Sequence, residues 1–233
     1  MKQITKISLF SILAGFNFLS SNAQAVDNNT IRVGEYFVHY NSQASDLSGT
    51  GIGAVPPGVN MNINNVNTPY FAYVRRLSSS FDLELAFGIP PTTTIVGKGP
   101  SKLGSVPYDG QEIASAKWWS PTLLFNYKFL DESDSIRPYV GLGVNFTSFS
   151  DINAKSAGQA ALGGPTWANL SDSFGWAATA GLSYHFLDHW SAYGSYSVSE
   201  VRSNLTANTS GIIRTNSVDF HPQAVVVSLG YSY

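Results

Sequence analysis

From residue 31 to the end of the chain, apolar and polar positions alternate with a period of two in eight separate runs. The clearest is 136–149, I-R-P-Y-V-G-L-G-V-N-F-T-S-F, where Val140, Leu142, Val144 and Phe146 alternate with Gly141, Gly143, Asn145 and Thr147. Successive side chains of a strand point to opposite faces, so one face of this segment is wholly apolar and the other is glycine, amide and hydroxyl. Two folds use such a strand. A membrane β-barrel turns the apolar face to lipid and the small polar face inward. A soluble β-sandwich buries the apolar face in its core.

The remaining runs are 31–41, 68–77, 81–89, 121–129, 174–186, 190–200 and 223–233. In the first, Tyr36, Val38 and Tyr40 share one face and Glu35, Phe37 and His39 the other. Run 81–89 sets Leu83, Leu85 and Phe87 against Glu84 and Ala86; run 121–129 sets Leu123, Phe125, Tyr127 and Phe129 against Thr122, Leu124, Asn126 and Lys128. The connections 78–80, 131–135 and 187–189 are short and polar. The others, 42–67, 90–117, 150–173 and 202–221, are long, and Gly, Asn, Ser and Pro in them mark loops. Long and short connections alternate, which puts all long loops at one end. A sandwich has no reason to sort its loops this way, whereas outer-membrane barrels do. The pattern predicts an all-β fold: an eight-stranded antiparallel transmembrane β-barrel with short periplasmic turns and four long extracellular loops.

The ends and the composition agree. Lys2 and Lys6, a mostly apolar stretch over 7–19 and the small-x-small site Ala23-Gln24-Ala25 predict a cleaved secretory signal peptide over 1–25. The barrel domain is then 26–233. Removing the signal leaves 11 basic against 15 acidic residues, a net charge of −4, without the basic patch that nucleic acid requires. No cysteine is present, so neither disulfides nor a thiolate metal site is available. No later stretch reaches about 18 consecutive apolar residues, so no spanning helix is predicted. Charged residues at 12% and aromatics at 13% suit a wall in hydrocarbon with aromatic rims.

Several of these segments resemble a known family. Residues 137–147, R-P-Y-V-G-L-G-V-N-F-T, are similar to the signature strand of the OmpW family of small outer-membrane barrels. Ser120-Pro121-Thr122-Leu123, the segment D-S-F-G-W-A-A-T-A-G over 172–181, Gly34-Glu35-Tyr36-Phe37 and the closing L-G-Y-S-Y resemble further elements of that family, in the same order. The chain ends in Tyr233 where the family usually has Phe, and loops 42–67 and 150–173 do not match closely. The resemblance implies an outer-membrane location in a Gram-negative bacterium. It also implies a channel that passes small hydrophobic molecules inward, entering at the barrel mouth and leaving sideways through a gap in the wall. A carboxy-terminal aromatic, here Tyr233, is the expected handle for the barrel-assembly machinery. The alternative is a structural, adhesive or receptor barrel whose long loops bind partners and whose lumen conducts nothing.

Candidate site residues follow from the predicted faces. Glu35, His39, Glu84, Lys128 and His185 are assigned to the interior, with Glu84 and Lys128 paired across it. Such a pair fills a barrel whose interior is just wide enough for side chains. Pro90, Pro91 and Pro121 fall at facing ends of the third and fourth runs. Proline cannot donate to the ladder, so these residues either end the strands or open a lateral gap. The loop residues Ile52, Val55, Met61, Leu103, Leu162 and Trp167 either form an apolar mouth or pack beneath their own loops. No Ser/His/acid set, metal-ligand spacing or phosphate loop is apparent, so no enzyme activity and no cofactor are expected. The expected partners are membrane lipid and small hydrophobic solutes.

Overall fold

The computed structural model describes residues 28–233; the expected signal peptide and its cleavage junction lie outside the described residues. Eight strands build the barrel: β1 (Asn29–Tyr40), β2 (Val66–Arg76), β3 (Phe81–Gly88), β4 (Thr122–Lys128), β5 (Ile136–Ala154), β6 (Ser173–Leu187), β7 (Trp190–Ser199) and β8 (Pro222–Ser232). Each pairs antiparallel with its neighbours in sequence, and β8 returns to β1 to close the ring. In lipid an unpaired backbone group has no water to bond, so closure is what lets this sheet span a membrane.

The wall follows the alternation. Leu142 is 70% exposed, and Val140, Val144, Phe125 and Val227 are exposed beside it or around the wall, while Asn126, Asn145 and Thr147 are buried inside. Toward the periplasmic end Tyr73, Ile31, Tyr231 and Trp190 lie in one cross-strand row. Trp190 packs edge-on against Tyr231 at 5.2 Å, as in an aromatic girdle. Gly141 has a packing reason to be glycine: a Cβ there would stand 2.0 Å from Asn126 Oδ1.

The long connections are largely strands, not the irregular loops predicted from their Gly, Pro and Ser content, although 59–66 is a stretch whose sequence could already extend the flanking strands. Asn60–Ile63, Thr92–Lys98 and Glu112–Trp119 form a sheet on the upper part of β5, which continues past the barrel rim. Thr166–Leu170, Arg202–Thr209 and Ile212–Asp219, edged by Gln43–Ala44 and Ser48–Gly49, form a second. A short helix α1 (Ser156–Leu162) ends at Gly163, whose φ of 93° is left-handed. Met61, Ile63 and Ile95 of the first sheet and its edge meet Leu170, Val218 and Phe220 of the second in one apolar core. The extracellular part is therefore a small sandwich above the barrel, with its greasy interior over the lumen.

Candidate functional site

The lower lumen is closed by a polar cluster. Arg32 on β1 is 2% exposed and its Nη1 donates to Glu84 Oε2 at 3.0 Å. Glu84 also accepts from the Tyr70 hydroxyl at 2.6 Å and from Asn126 Nδ2 at 2.8 Å. The guanidinium bonds Ser228 through Nε and Nη2, both at 3.2 Å, and lies 4.1 Å from the Tyr193 ring centre. A buried ion pair is tolerable when its spare hydrogen-bonding positions are filled in this way. Lower still, Lys128 pairs with Asp82 at 2.5 Å, and Arg137 donates to the carbonyls of Ser79, Leu130 and Phe129 in the periplasmic turns.

Above the cluster the interior changes character. A lower cavity of about 570 Å³ rests on Glu84 and Tyr70 and is lined by small and hydroxyl side chains such as Ala86, Ala177 and Thr179 together with the larger apolar Phe87, Leu124, Val198 and Val226. It shares Tyr36, Ser120, Ser199 and Pro222 with a middle cavity of about 550 Å³ that is mainly apolar, lined by Val38, Tyr40, Ala116, Trp118 and Phe149. The middle cavity in turn shares Ile63, Ile95, Leu170 and Phe220 with an outer cavity of about 820 Å³ inside the extracellular sandwich; all three volumes include space open to solvent. In the wall of the middle cavity Phe149 stacks at 5.2 Å on Phe220, which the outer cavity shares, and Tyr40 stands edge-on to Trp118 at 6.4 Å. The Trp118 indole N–H is satisfied by Thr93 Oγ1 at 2.9 Å, so it adds no unpaired donor to the apolar wall. Tyr108, at the side of the outer cavity, is buried and bonds the Asn60 carbonyl at 2.7 Å; burial pushes its phenol up to about 12.

The β3–β4 ladder, with six pairs, is the shortest in the barrel wall and ends beside the lower cavity. Pairing between β3 and β4 stops at Ala86↔Thr122, below Pro90, Pro91 and Pro121. Beyond that point the two strands share no pairing, and each top is held to its other neighbour. The top of β3 is held to β2: Ile89 N–H bonds the Pro69 carbonyl at 3.2 Å and the Thr68 hydroxyl bonds the Ile89 carbonyl at 2.6 Å. The top of β4 is held to β5: Phe146 N–H bonds the Pro121 carbonyl at 3.1 Å, and Asn145 Nδ2 bonds the Ser120 and Thr122 hydroxyls, each at 2.8 Å. Neither Pro91 nor Pro121 has an N–H with which to bridge the seam. Gly88 and Phe87 on one side of it and Ser120 and Thr122 on the other touch the lower cavity.

The predicted site residues divide. Glu84, Lys128 and His185 point inward, His185 Nδ1 lying 2.6 Å from Ser191 Oγ. Glu84 and Lys128 do not pair with each other: Glu84 takes Arg32 and Lys128 takes Asp82. Glu35 and His39 correct the interior assignment, because both lie on the outer face of β1. Arg32, Tyr36, Val38 and Tyr40 are the residues inside. Polarity misassigned this strand because the upper lumen is itself apolar, so the usual polar interior is the wrong template there. Among the mouth candidates, Met61 and Leu162 line the outer cavity. Val55 and Leu103 pack under their loops beside Leu47 and Tyr108. Ile52 and Trp167 face away from it, 87% and 63% exposed, Trp167 being on the outer side of its strand. Trp118, Ile95, Phe149 and Phe220 were not singled out by sequence reasoning. The alternation of Ala114, Ala116 and Trp118 and the β-branched run 92–96 were the signals available for the first two.

The comparisons with known proteins agree with this architecture. The model of the OmpW family matches residues 58–233. Outer membrane protein W of Vibrio cholerae is 29% identical over 122 residues, 52% of this chain and 55% of that protein, and its Escherichia coli counterpart 30% identical over a similar share. The chain thus aligns with about half the length of these curated relatives. Among solved structures, OprG from Pseudomonas aeruginosa superposes with a TM-score of 0.78 at 23% identity, covering 88% of this chain and 95% of that one. AlkL in lipid bilayers gives 0.61 at 16% identity, covering 93% and 95%, and Escherichia coli outer membrane protein W gives 0.53 at 22%, covering 91% and 100%. The structural likenesses bear on the fold, and the family match covers most of the chain: it is an outer-membrane barrel of Gram-negative bacteria and belongs to the OmpW family.

Proposed function

We propose that this barrel passes small hydrophobic molecules from the cell exterior into the outer membrane, without enzymatic chemistry. The solute enters the extracellular sandwich and descends past Phe220, Phe149 and Trp118. It meets the Arg32–Glu84 cluster, which an apolar molecule has no means to displace, and turns outward through the seam between β3 and β4. The observation that carries this reading is the overlap of the three cavities, which share lining residues from the mouth down to the level where the β3–β4 pairing stops. Pockets for small molecules are mostly apolar with a few placed polar groups, and the two upper cavities have that character. The exposed Tyr233, tied to Asn29 by two backbone bonds of 2.9 and 3.1 Å, is the proposed handle for the barrel-assembly machinery.

Ala116 tests the path. It is 5% exposed and lines the middle cavity, so Ala116→Trp fills that space with an indole. Uptake of N-phenylnaphthylamine, whose fluorescence rises on entering lipid, should fall to the rate of cells lacking the barrel. The folded state is checked separately by gel mobility of the unheated protein. A folded variant with the wild-type uptake rate would put the path elsewhere.

A further inference from the structure

The joint between the lower and middle cavities has hydroxyls to spare. The residues that line both cavities are Tyr36, Ser120, Ser199 and Pro222. The Tyr36 ring packs against Tyr70 at 6.1 Å, but its hydroxyl makes no hydrogen bond among the described residues, and neither does that of Ser199. Neither oxygen is sealed off: among the described residues, the buried side-chain atoms without a partner are Asn126 Oδ1, Asn216 Oδ1 and Asp219 Oδ1. Both hydroxyls therefore open on the lumen that their residues line. The other hydroxyls along these two cavities are engaged within the protein. Tyr70 donates to Glu84 at 2.6 Å, Ser197 donates to Thr179 at 2.9 Å, and Ser120 shares a bond of 2.6 Å with Thr147.

Tyr36 stands on β1 and Ser199 at the top of β7, with β8 between them. That arc lies across the ring from the seam between β3 and β4. On the mouth side of the joint the lining is mainly apolar, with Val38, Ala116, Trp118 and Phe149; on the floor side stand Glu84 and Tyr70. A pure hydrocarbon that fills the joint strips water from two hydroxyls and gives them no partner, which is unfavourable for each. An ionised end group fares no better. The Arg32–Glu84 pair neutralises itself and offers no free counter-charge, and an unpaired ion is costly away from water.

We propose that the column binds chain molecules with one neutral oxygen near the end, a ketone, ester or alcohol, which takes hydrogen bonds from Tyr36 and Ser199 while the apolar chain lies along Val38, Trp118 and Phe149. A carbonyl oxygen has two lone pairs and accepts from both hydroxyls. A site with placed donors rejects an analogue that lacks the acceptor, because the donors are then left unpaired. This inference rests on the column being a ligand path, and it narrows the substrate class from any apolar solute to one with a neutral hydrogen-bonding end.

Binding of 2-decanone, decane and ionised decanoate to the full barrel in detergent, each measured above its partition into protein-free micelles, separates the two ideas. The ketone should bind at least about tenfold more tightly than either of the others, since only it pairs both hydroxyls without bringing a charge. Tyr36→Phe combined with Ser199→Ala, which keeps the ring against Tyr70, should abolish that preference. Equal binding of 2-decanone and decane to the wild-type protein would overturn the assignment of the oxygen while the column stands, and so would a preference that the double variant retains. Decanoate binding most tightly would overturn the neutral end group. Binding of none of the three would bring down the column as well. The wild-type comparison decides even if the double variant fails to fold.

Discussion

Arg32 illustrates how a single side chain organises the lower lumen. Its partners come from strands on both sides of it, Glu84 from β3, Ser228 from β8 and the Tyr193 ring from β7, so it braces the barrel across its width. Arg32→Ala leaves Glu84 buried without its cation. The cost should be about 3–5 kcal/mol, seen as a lower urea midpoint for unfolding from lipid bilayers. Replacing Arg32 and Glu84 together by Leu should recover part of that loss: an apolar pair carries no desolvation penalty, but the Tyr70 hydroxyl and Asn126 Nδ2 lose their acceptor. If the single and double variants unfold alike, the pair is not what holds the cluster. At this scale the sequence is only partly legible. Glu84 and Lys128 were assignable to the interior from their strands' alternation, but neither partner was, since Asp82 and Arg32 meet them through pairing register that no single strand reveals. Glu35 and His39 misled because their polarity was taken as the mark of the inside, where Tyr36, Val38 and Tyr40 stand.

Among the elements, β3 and β4 are short while β5 runs on past the rim, and the seam between the short pair follows from what their tops bind. Asn145 and Thr68 draw the two edges toward β5 and β2, and the prolines have no donor with which to draw them back. Asn145→Val should cost about 1–3 kcal/mol of stability, since it leaves the buried ends of Ser120 and Thr122 short of a partner. Pro121→Ala should cost about 1–3 kcal/mol in the same unfolding assay, because the restored N–H faces an unpaired edge of the wall. An unchanged stability would mean that this N–H finds an acceptor across the seam. The strand ends and the prolines were readable from sequence. What each end binds was not, since it depends on side-chain hydrogen bonds from neighbouring strands.

Across the whole molecule, the barrel was legible and the upper half was not. Alternation, loop asymmetry and closure are local or statistical properties of the chain, and Val140 to Phe146 do face lipid as their pattern requires. The extracellular sandwich arises from pairings such as Ile63↔Ile95 and Leu205↔Asn216, made within segments whose glycines, prolines and serines resemble loop. Its interior shares lining residues with the lumen, so the molecule is a greasy shaft standing on a charged floor, with the shortest ladder of its wall beside the floor. The central claim is that solute leaves through that part of the wall. Because the chain has no cysteine, Phe87→Cys with Pro121→Cys introduces a single possible disulfide across the seam, one position above the last pair, Ala86↔Thr122. The uptake rate of N-phenylnaphthylamine is measured on this one variant oxidised and then reduced. Uptake that is blocked with the bridge closed and restored on reduction is the predicted result; the same rate in both states would contradict a lateral exit.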